Sequence, residues 1–350
     1  MTGSKQQLGS ILLLKADYNI MMNGKTTIFF LIFAGFVLNS CQKDIDIFVP
    51  DAGSLNGPDT AWYSVITPSM PIASVRNNLA IPGYNDSIQV NGSSSTLNTP
   101  FGLQCIFPPN SCVGSGGSAI TGTVNVELSL LKKKGDMIRM NTPTTSNGYL
   151  LISGGEIFIR VKKENNEVHL SPNARIQFKF NDAPVNTQMR FFAGDESIPE
   201  RFNWLQDTTS GNFVSPNSQG YEVLTNHLHW INCDYFYNYN TSGQGLVTVN
   251  ADLAPYFTNS NTLAFTVFKD FRSVVGMYGD VSTRKFSCSK LPGGKAIAVV
   301  IISKQGNDYF FGFENTLTVT PTGTASVIQS VKVTPVKTSL ADILHYLDTL

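Results

Sequence analysis

The chain has 350 residues with 25 basic and 25 acidic side chains, so its formal net charge is zero and it offers no basic excess for nucleic-acid phosphates. Hydrophobic residues make up 42%, enough for a sizeable core. Charged residues are only 14%, against roughly 25% in ordinary soluble domains. The polar surface is built from Ser, Thr, Asn and Gln instead, which suits a β-rich protein working outside the cytoplasm.

The first element along the chain is an address. Residues 28–38 form an eleven-residue apolar run behind Lys25. That is short of the roughly 20 residues that span a bilayer. A short apolar stretch after a positive charge reads as a signal-peptide core. It runs into Leu38-Asn39-Ser40-Cys41, which resembles the lipobox of bacterial lipoproteins: an aliphatic residue, a small residue before the cut, then cysteine. The resemblance implies a signal peptide over 1–40, with Met21 or Met22 as its expected start. It implies cleavage between Ser40 and Cys41, and lipid on Cys41 as the contact with the membrane. The following Gln42, Lys43, Asp44 and Asp46 resemble the short acidic export signal of Bacteroidetes surface lipoproteins, which implies an outer-membrane protein facing outward.

Residues 41–95 are expected to be a lipidated tether with short strands at Phe48-Val49, at 62–66 and at 86–90. From Thr96 the strand signal strengthens. Val124, Val126 and Leu128 alternate with polar residues, as do Ile157, Ile159 and Val161, and then Ile176, Phe178 and Phe180. Period two predicts half-buried strands. A first sandwich is expected over 96–182 and a second β-rich domain over 183–338. In the latter, residues 296–302 are continuously apolar, as a strand covered on both faces would be. Over 339–350, Ser339 and Asp342 fit a capping box. Leu340, Ile343, Leu344 and Leu347 make one apolar stripe, which predicts a short helix docked on the body. The expected fold class is all-β: two β-sandwiches and a C-terminal helix.

The segments Phe101-Gly102-Leu103, Ile120-Thr121-Gly122-Thr123-Val124, Lys134-Gly135-Asp136 and Ser153-Gly154-Gly155-Glu156 follow an order that resembles the β-sandwich module of zonula occludens proteins, netrin receptors and ankyrins. The resemblance covers about a quarter of the chain. It implies protein contacts and no chemistry.

Candidate sites are few. Cys105, Cys112, Cys233 and Cys288 are expected to be mostly small buried hydrophobes. His227 and His229 fall on one face if their segment is a strand, but a metal needs further ligands, and Asp234 is the only nearby candidate. His169-Leu170-Ser171 departs from the His-aromatic-Ser pattern of self-cleaving relatives. Asp136 and Glu156 are a scattered carboxylate pair of the kind glycosidases use. Trp204, Trp230, Tyr235 and Tyr237 are candidates for a binding platform. No nucleophile motif, phosphate loop or dinucleotide fingerprint is present, and no cofactor is expected. The expected function is a binding or protein-interaction module of the cell envelope, whose partner is an envelope protein or a glycan. The alternative is a carbohydrate-active or glycan-binding component of a surface uptake system.

Overall fold

The computed structural model describes residues 59–198, 200–239 and 245–350. Ser40, Cys41, Gln42, Lys43, Asp44, Asp46 and Phe48-Val49 lie outside the described residues. The described chain is all-β, two sandwiches with a docked C-terminal helix.

In the first sandwich, one sheet runs in spatial order Tyr84–Val90, Gly122–Leu131, Tyr149–Lys163, His229–Phe236, Arg190–Asp195, Asn203–Gln206. The facing sheet runs Phe213–Pro216, Gly220–Thr225, Ile176–Asn181, Leu103–Phe107, Ser95–Asn98. The alternating residues Val124, Val126, Leu128, Ile157, Ile159, Val161, Ile176, Phe178 and Phe180 meet in one core. Cys105, Cys112 and Cys233 share that core, Cys288 lies in the core of the second sandwich, and all four are free and buried.

The sequence places a domain boundary at 182/183, whereas the sheets place it after Phe236. Ile176–Asn181 pairs with Gly220–Thr225, and Tyr149–Lys163 pairs with His229–Phe236. These long-range pairings carry residues 190–236 into the first sandwich, and no local pattern announces them.

The second sandwich stacks Tyr278–Asp280, Lys285–Leu291, Val247–Asp252 and Val327–Lys332 on Val274–Gly276, Thr262–Phe268, Ala296–Gln305, Asp308–Leu317 and Val336–Thr338. The strand within the apolar run is covered on both faces, as its composition predicts. Ile297, Val299 and Ile301 enter the core between the sheets, while Ala298, Val300 and Ile302 face a layer of helices.

Three helices make that outer layer: α1 (Pro71–Leu79), α2 (Lys134–Met140) and α3 (Leu340–Asp348). Ile72, Val75 and Leu79 of α1 and Ile343 and Leu347 of α3 are buried against the sheet. The α3 cap forms as its sequence predicts: Ser339 Oγ accepts from the Asp342 amide at 3.1 Å. The expected strand over 62–66 does not form. Tyr63 instead donates its amide to Asn259 Oδ1 at 3.0 Å and accepts from Asn259 Nδ2 at 2.6 Å. One side-chain amide therefore satisfies backbone groups that a strand partner would otherwise take.

Helix α2 meets α3 at Gly135, where an added Cβ would lie 1.8 Å from the Leu347 carbonyl oxygen. We expect Gly135→Ala to push the helices apart and Leu347→Ala to cost about 2–5 kcal/mol, both seen as lower melting temperatures. Leu344→Ala, at a partly buried position, should cost less. An unchanged melting curve after removal of 339–350 would contradict the docked role of α3.

Candidate functional site

The aromatic residues singled out in the sequence do not form a platform. Trp204 is 0% exposed and Trp230 7%. They pack edge-on, 6.4 Å apart, in a small core with Phe158, Phe192 and Phe202. Tyr235 packs against the first core and Tyr237 against the second. The dense aromatic segment is thus spent on packing, because its strand is central in its sheet and carries core residues on both faces.

The histidines also separate. The strand begins only at His229, which has a positive φ of 69°, so the two rings do not share a strand face. His227 Nε2 lies 2.8 Å from Asp207 Oδ2, and His229 Nδ1 lies 3.2 Å from Glu196 Oε2. Burial raises the Asp207 carboxyl, but hydrogen bonds from Thr209, Asn212 and His227 outweigh it and hold it below the usual carboxylate range. The hydrogen bond to Glu196 raises His229. His169 is exposed in a two-residue strand, and the Ser171 hydroxyl donates to the Asn110 carbonyl. No group of three or more His, Cys, Asp or Glu among the described residues is arranged to hold a metal.

Carboxylates do converge, but under cover. A bulge at Cys233/Asp234 sets Asn232 opposite Glu156 and Asp234 opposite Ser153. Gly154 and Gly155 are required there. A Cβ on Gly154 would press on the Cys233 carbonyl and the Tyr221 ring, and one on Gly155 would press on Phe180. Glu156 and Asp234 are both 0% exposed. Burial pushes Glu156 well above the usual range, against a hydrogen bond from Thr142, and the charges of Asp234 and Asp136 add to the rise. Burial pushes Asp234 up to about 7, against hydrogen bonds from Ser153 and Asn232 and the charge of Arg272. Asp136 is also raised by burial. Asp136 and Glu156 therefore interact electrically, yet Glu156 has no opening through which a substrate would reach it.

The open site lies elsewhere. A cavity of about 570 Å³ forms where three parts of the chain meet. One wall is the segment 63–66 with Ile72 and Arg76 of α1. Another comes from the first sandwich, through Asn141, Pro143, Ile198, Glu200 and Arg201. The floor is the second sandwich around Leu263, Tyr278 and Phe286. Its size falls in the range of small-molecule sites. Asn259 holds the 63–66 wall through the paired hydrogen bonds to Tyr63. Trp62 packs on Phe286 with ring centroids 5.1 Å apart. The Arg201 guanidinium lies 5.6 Å from the centre of the Tyr278 ring. Burial pushes the Tyr278 hydroxyl up to about 12, with Arg201 and Arg76 opposing. Burial lowers the Arg76 guanidinium, with Glu200 opposing. Hydrogen bonds from Ser282 and Thr283 pull Asp280 down to about 2.

Sequence patterns missed this site because none of its residues forms a motif. Its parts are separated by more than two hundred positions and meet only through tertiary packing. The one local signal was the i, i+3, i+7 stripe of Ile72, Val75 and Leu79, which marks α1 behind its opening proline.

The chain matches no protein-family model and no curated protein. Among the described residues, no helix is long and apolar enough to cross a membrane.

Asp234 has a raised folded-state pKa, so its contribution to stability is complete below its unfolded value near 3.8 and is lost as pH rises to about 7. We therefore expect Asp234→Asn to flatten the stability–pH curve across that window, an effect on the order of a few kcal/mol. Urea unfolding of both proteins at stepped pH measures it. An unchanged slope would show that Asp234 ionises freely in the folded protein.

Proposed function

We propose that the protein is a lipid-anchored binding protein of the bacterial cell envelope, held by lipid on Cys41 and taking its ligand in the cavity between 63–66, Arg76 and the second sandwich. The cavity carries this reading. It is the described concavity that combines an apolar wall, from Ile66, Leu263 and Phe286, with a few polar groups, as small-molecule sites do. The lipobox-like Leu38-Asn39-Ser40-Cys41 supports the anchor, and the acidic residues Asp44 and Asp46 support outward display. The likeness of 101–156 to the zonula occludens, netrin-receptor and ankyrin module supports a role in binding. The full burial of Glu156 gives no support to glycosidase chemistry at the Asp136–Glu156 pair, and the burial of Trp204 and Trp230 gives none to a sugar platform built on them.

Trp62 stands beside the cavity while the other two tryptophans are buried in a separate core. Its emission is therefore a reporter of occupancy. We expect titration of the mature protein with a panel of sugars, short peptides and small organic acids to give a saturable change with one class, absent in Trp62→Phe. No response to any class would overturn the reading of the cavity. The anchor is checked separately. Cys41→Ala should accumulate uncleaved precursor without palmitate label, and normal processing of that variant would contradict lipidation.

A further inference from the structure

We propose that the cavity is built for an organic carboxylate, bound between the guanidinium groups of Arg76 and Arg201 with its apolar body against Ile66, Leu263 and Phe286. This rests on the reading of the cavity as a ligand site and names the chemistry of its ligand.

Two arginines line one cavity, and neither forms an ion pair with a described carboxylate. Arg76 is the more telling. It projects from a helix whose Ile72, Val75 and Leu79 are locked into the core, so its backbone has no freedom to withdraw. Its Nε is buried and has no hydrogen-bond partner among the described residues. Buried donors on charged groups are almost always paired, since leaving one unpaired costs about 1–3 kcal/mol or more. That Nε is itself out of reach of solvent, so Arg76 would meet a ligand through the Nη atoms of the same guanidinium, which are not among the buried orphan atoms.

Arg201 is held differently. Its guanidinium sits by the face of Tyr278, whose own hydroxyl is directed to the Phe202 carbonyl at 3.4 Å. That cation–π contact places the guanidinium at the cavity without an ion-pair partner of its own, and a planar guanidinium can grip a carboxylate with two parallel hydrogen bonds.

Neither acidic residue of the cavity forms an ion pair with these arginines. Asp280 Oδ1 accepts from the Ser282 hydroxyl at 2.6 Å and from the Thr283 amide and hydroxyl at 2.7 and 3.0 Å, so it is committed to its own turn. Glu200 interacts with Arg76 through space without pairing to it. The partly exposed Ile66, with Leu263 and Phe286 behind it, offers an apolar contact that an organic acid can use and a bare inorganic anion cannot.

The test compares 3-phenylpropionate with its neutral amide, 3-phenylpropionamide, by Trp62 emission on the full mature chain. We expect the acid to bind about tenfold or more tightly than the amide, the margin of a charge-assisted hydrogen bond. Arg76→Gln and Arg201→Gln should each remove that preference while leaving the amide's weak binding in place. Folding is checked with Arg76→Met. Because this variant removes a buried donor without a partner, its melting temperature should equal or exceed that of the unaltered protein. Equal affinity for acid and amide, or a preference that survives Arg76→Gln, would overturn the carboxylate assignment while leaving the cavity as a binding site. Binding of neither probe would overturn both. A melting temperature lowered by Arg76→Met would show that Arg76 serves the fold, and would overturn the assignment too.

Discussion

Arg272 holds the two sandwiches in a fixed relation, and the cavity depends on that relation. The residue sits in a turn of the second sandwich and reaches into the first. Its Nη atoms donate to both oxygens of Asp182, at 3.2 and 3.1 Å, and Nη1 also donates to the Gly154 carbonyl at 2.9 Å. The Asp182 side chain is only 6% exposed. Lys132 Nζ lies 3.5 Å from the same carboxylate, so Asp182 keeps one cation if Arg272 is lost, whereas removing Asp182 strands Arg272 and costs about 3–5 kcal/mol. Backbone bonds extend the joint on either side: Ser153 donates to the Arg272 carbonyl at 3.0 Å, and Thr144 to the Val274 carbonyl at 2.7 Å. Val274–Gly276 is thereby laid alongside the loop that carries Asn141 and Pro143, and one side of the cavity closes. The bulge at Gly154 and Gly155 is part of the same device, because it turns the carbonyls of Ser153 and Gly154 toward the arginine.

The joint has a consequence for charge. Bringing the sheets together over Glu156, Asn232 and Asp234 removes two carboxyl groups from water, and that burial raises the pKa of both. Glu156, one of the two carboxylates that the sequence offers as a catalytic pair, is thus drawn into the seam. The arginines that no motif marks are left at the surface of a cavity. Helix α1 links the two regions. Its apolar side covers the outer face of the second sandwich, and its Arg76 side faces the cavity.

Much of the fold was legible in the sequence. The period-two runs at Val124, Ile157 and Ile176 landed on the core side as read, and the unbroken run 296–302 identified a strand covered on both faces, by the facing sheet on one and by helices on the other. The capping box at Ser339 located α3. Other features were not legible, for a common physical reason. The partner of Tyr149–Lys163 is His229–Phe236, far along the chain, and hydrophobic alternation states that a strand is half-buried without naming its neighbour. The expected strand at 62–66 failed because Asn259, some two hundred residues away, supplies its hydrogen bonds. The aromatic density around Trp230 was a true signal of packing and a false one of exposure, since a central strand buries large side chains on both faces. The cavity was illegible altogether. Nothing near Arg76 in sequence tells that its Nε will be buried without a partner.

The cavity between 63–66, α1 and the second sandwich is where we propose that the protein meets its ligand. Hydrogen–deuterium exchange of the mature chain with and without saturating 3-phenylpropionate tests it at the level of single segments. Occupancy should slow exchange at 63–66, 76–80, 200–202 and 276–280, and leave the first sandwich's facing sheet around Ile176–Asn181 unchanged. Protection elsewhere, with those four segments unaffected, would place the site outside the cavity and contradict the account.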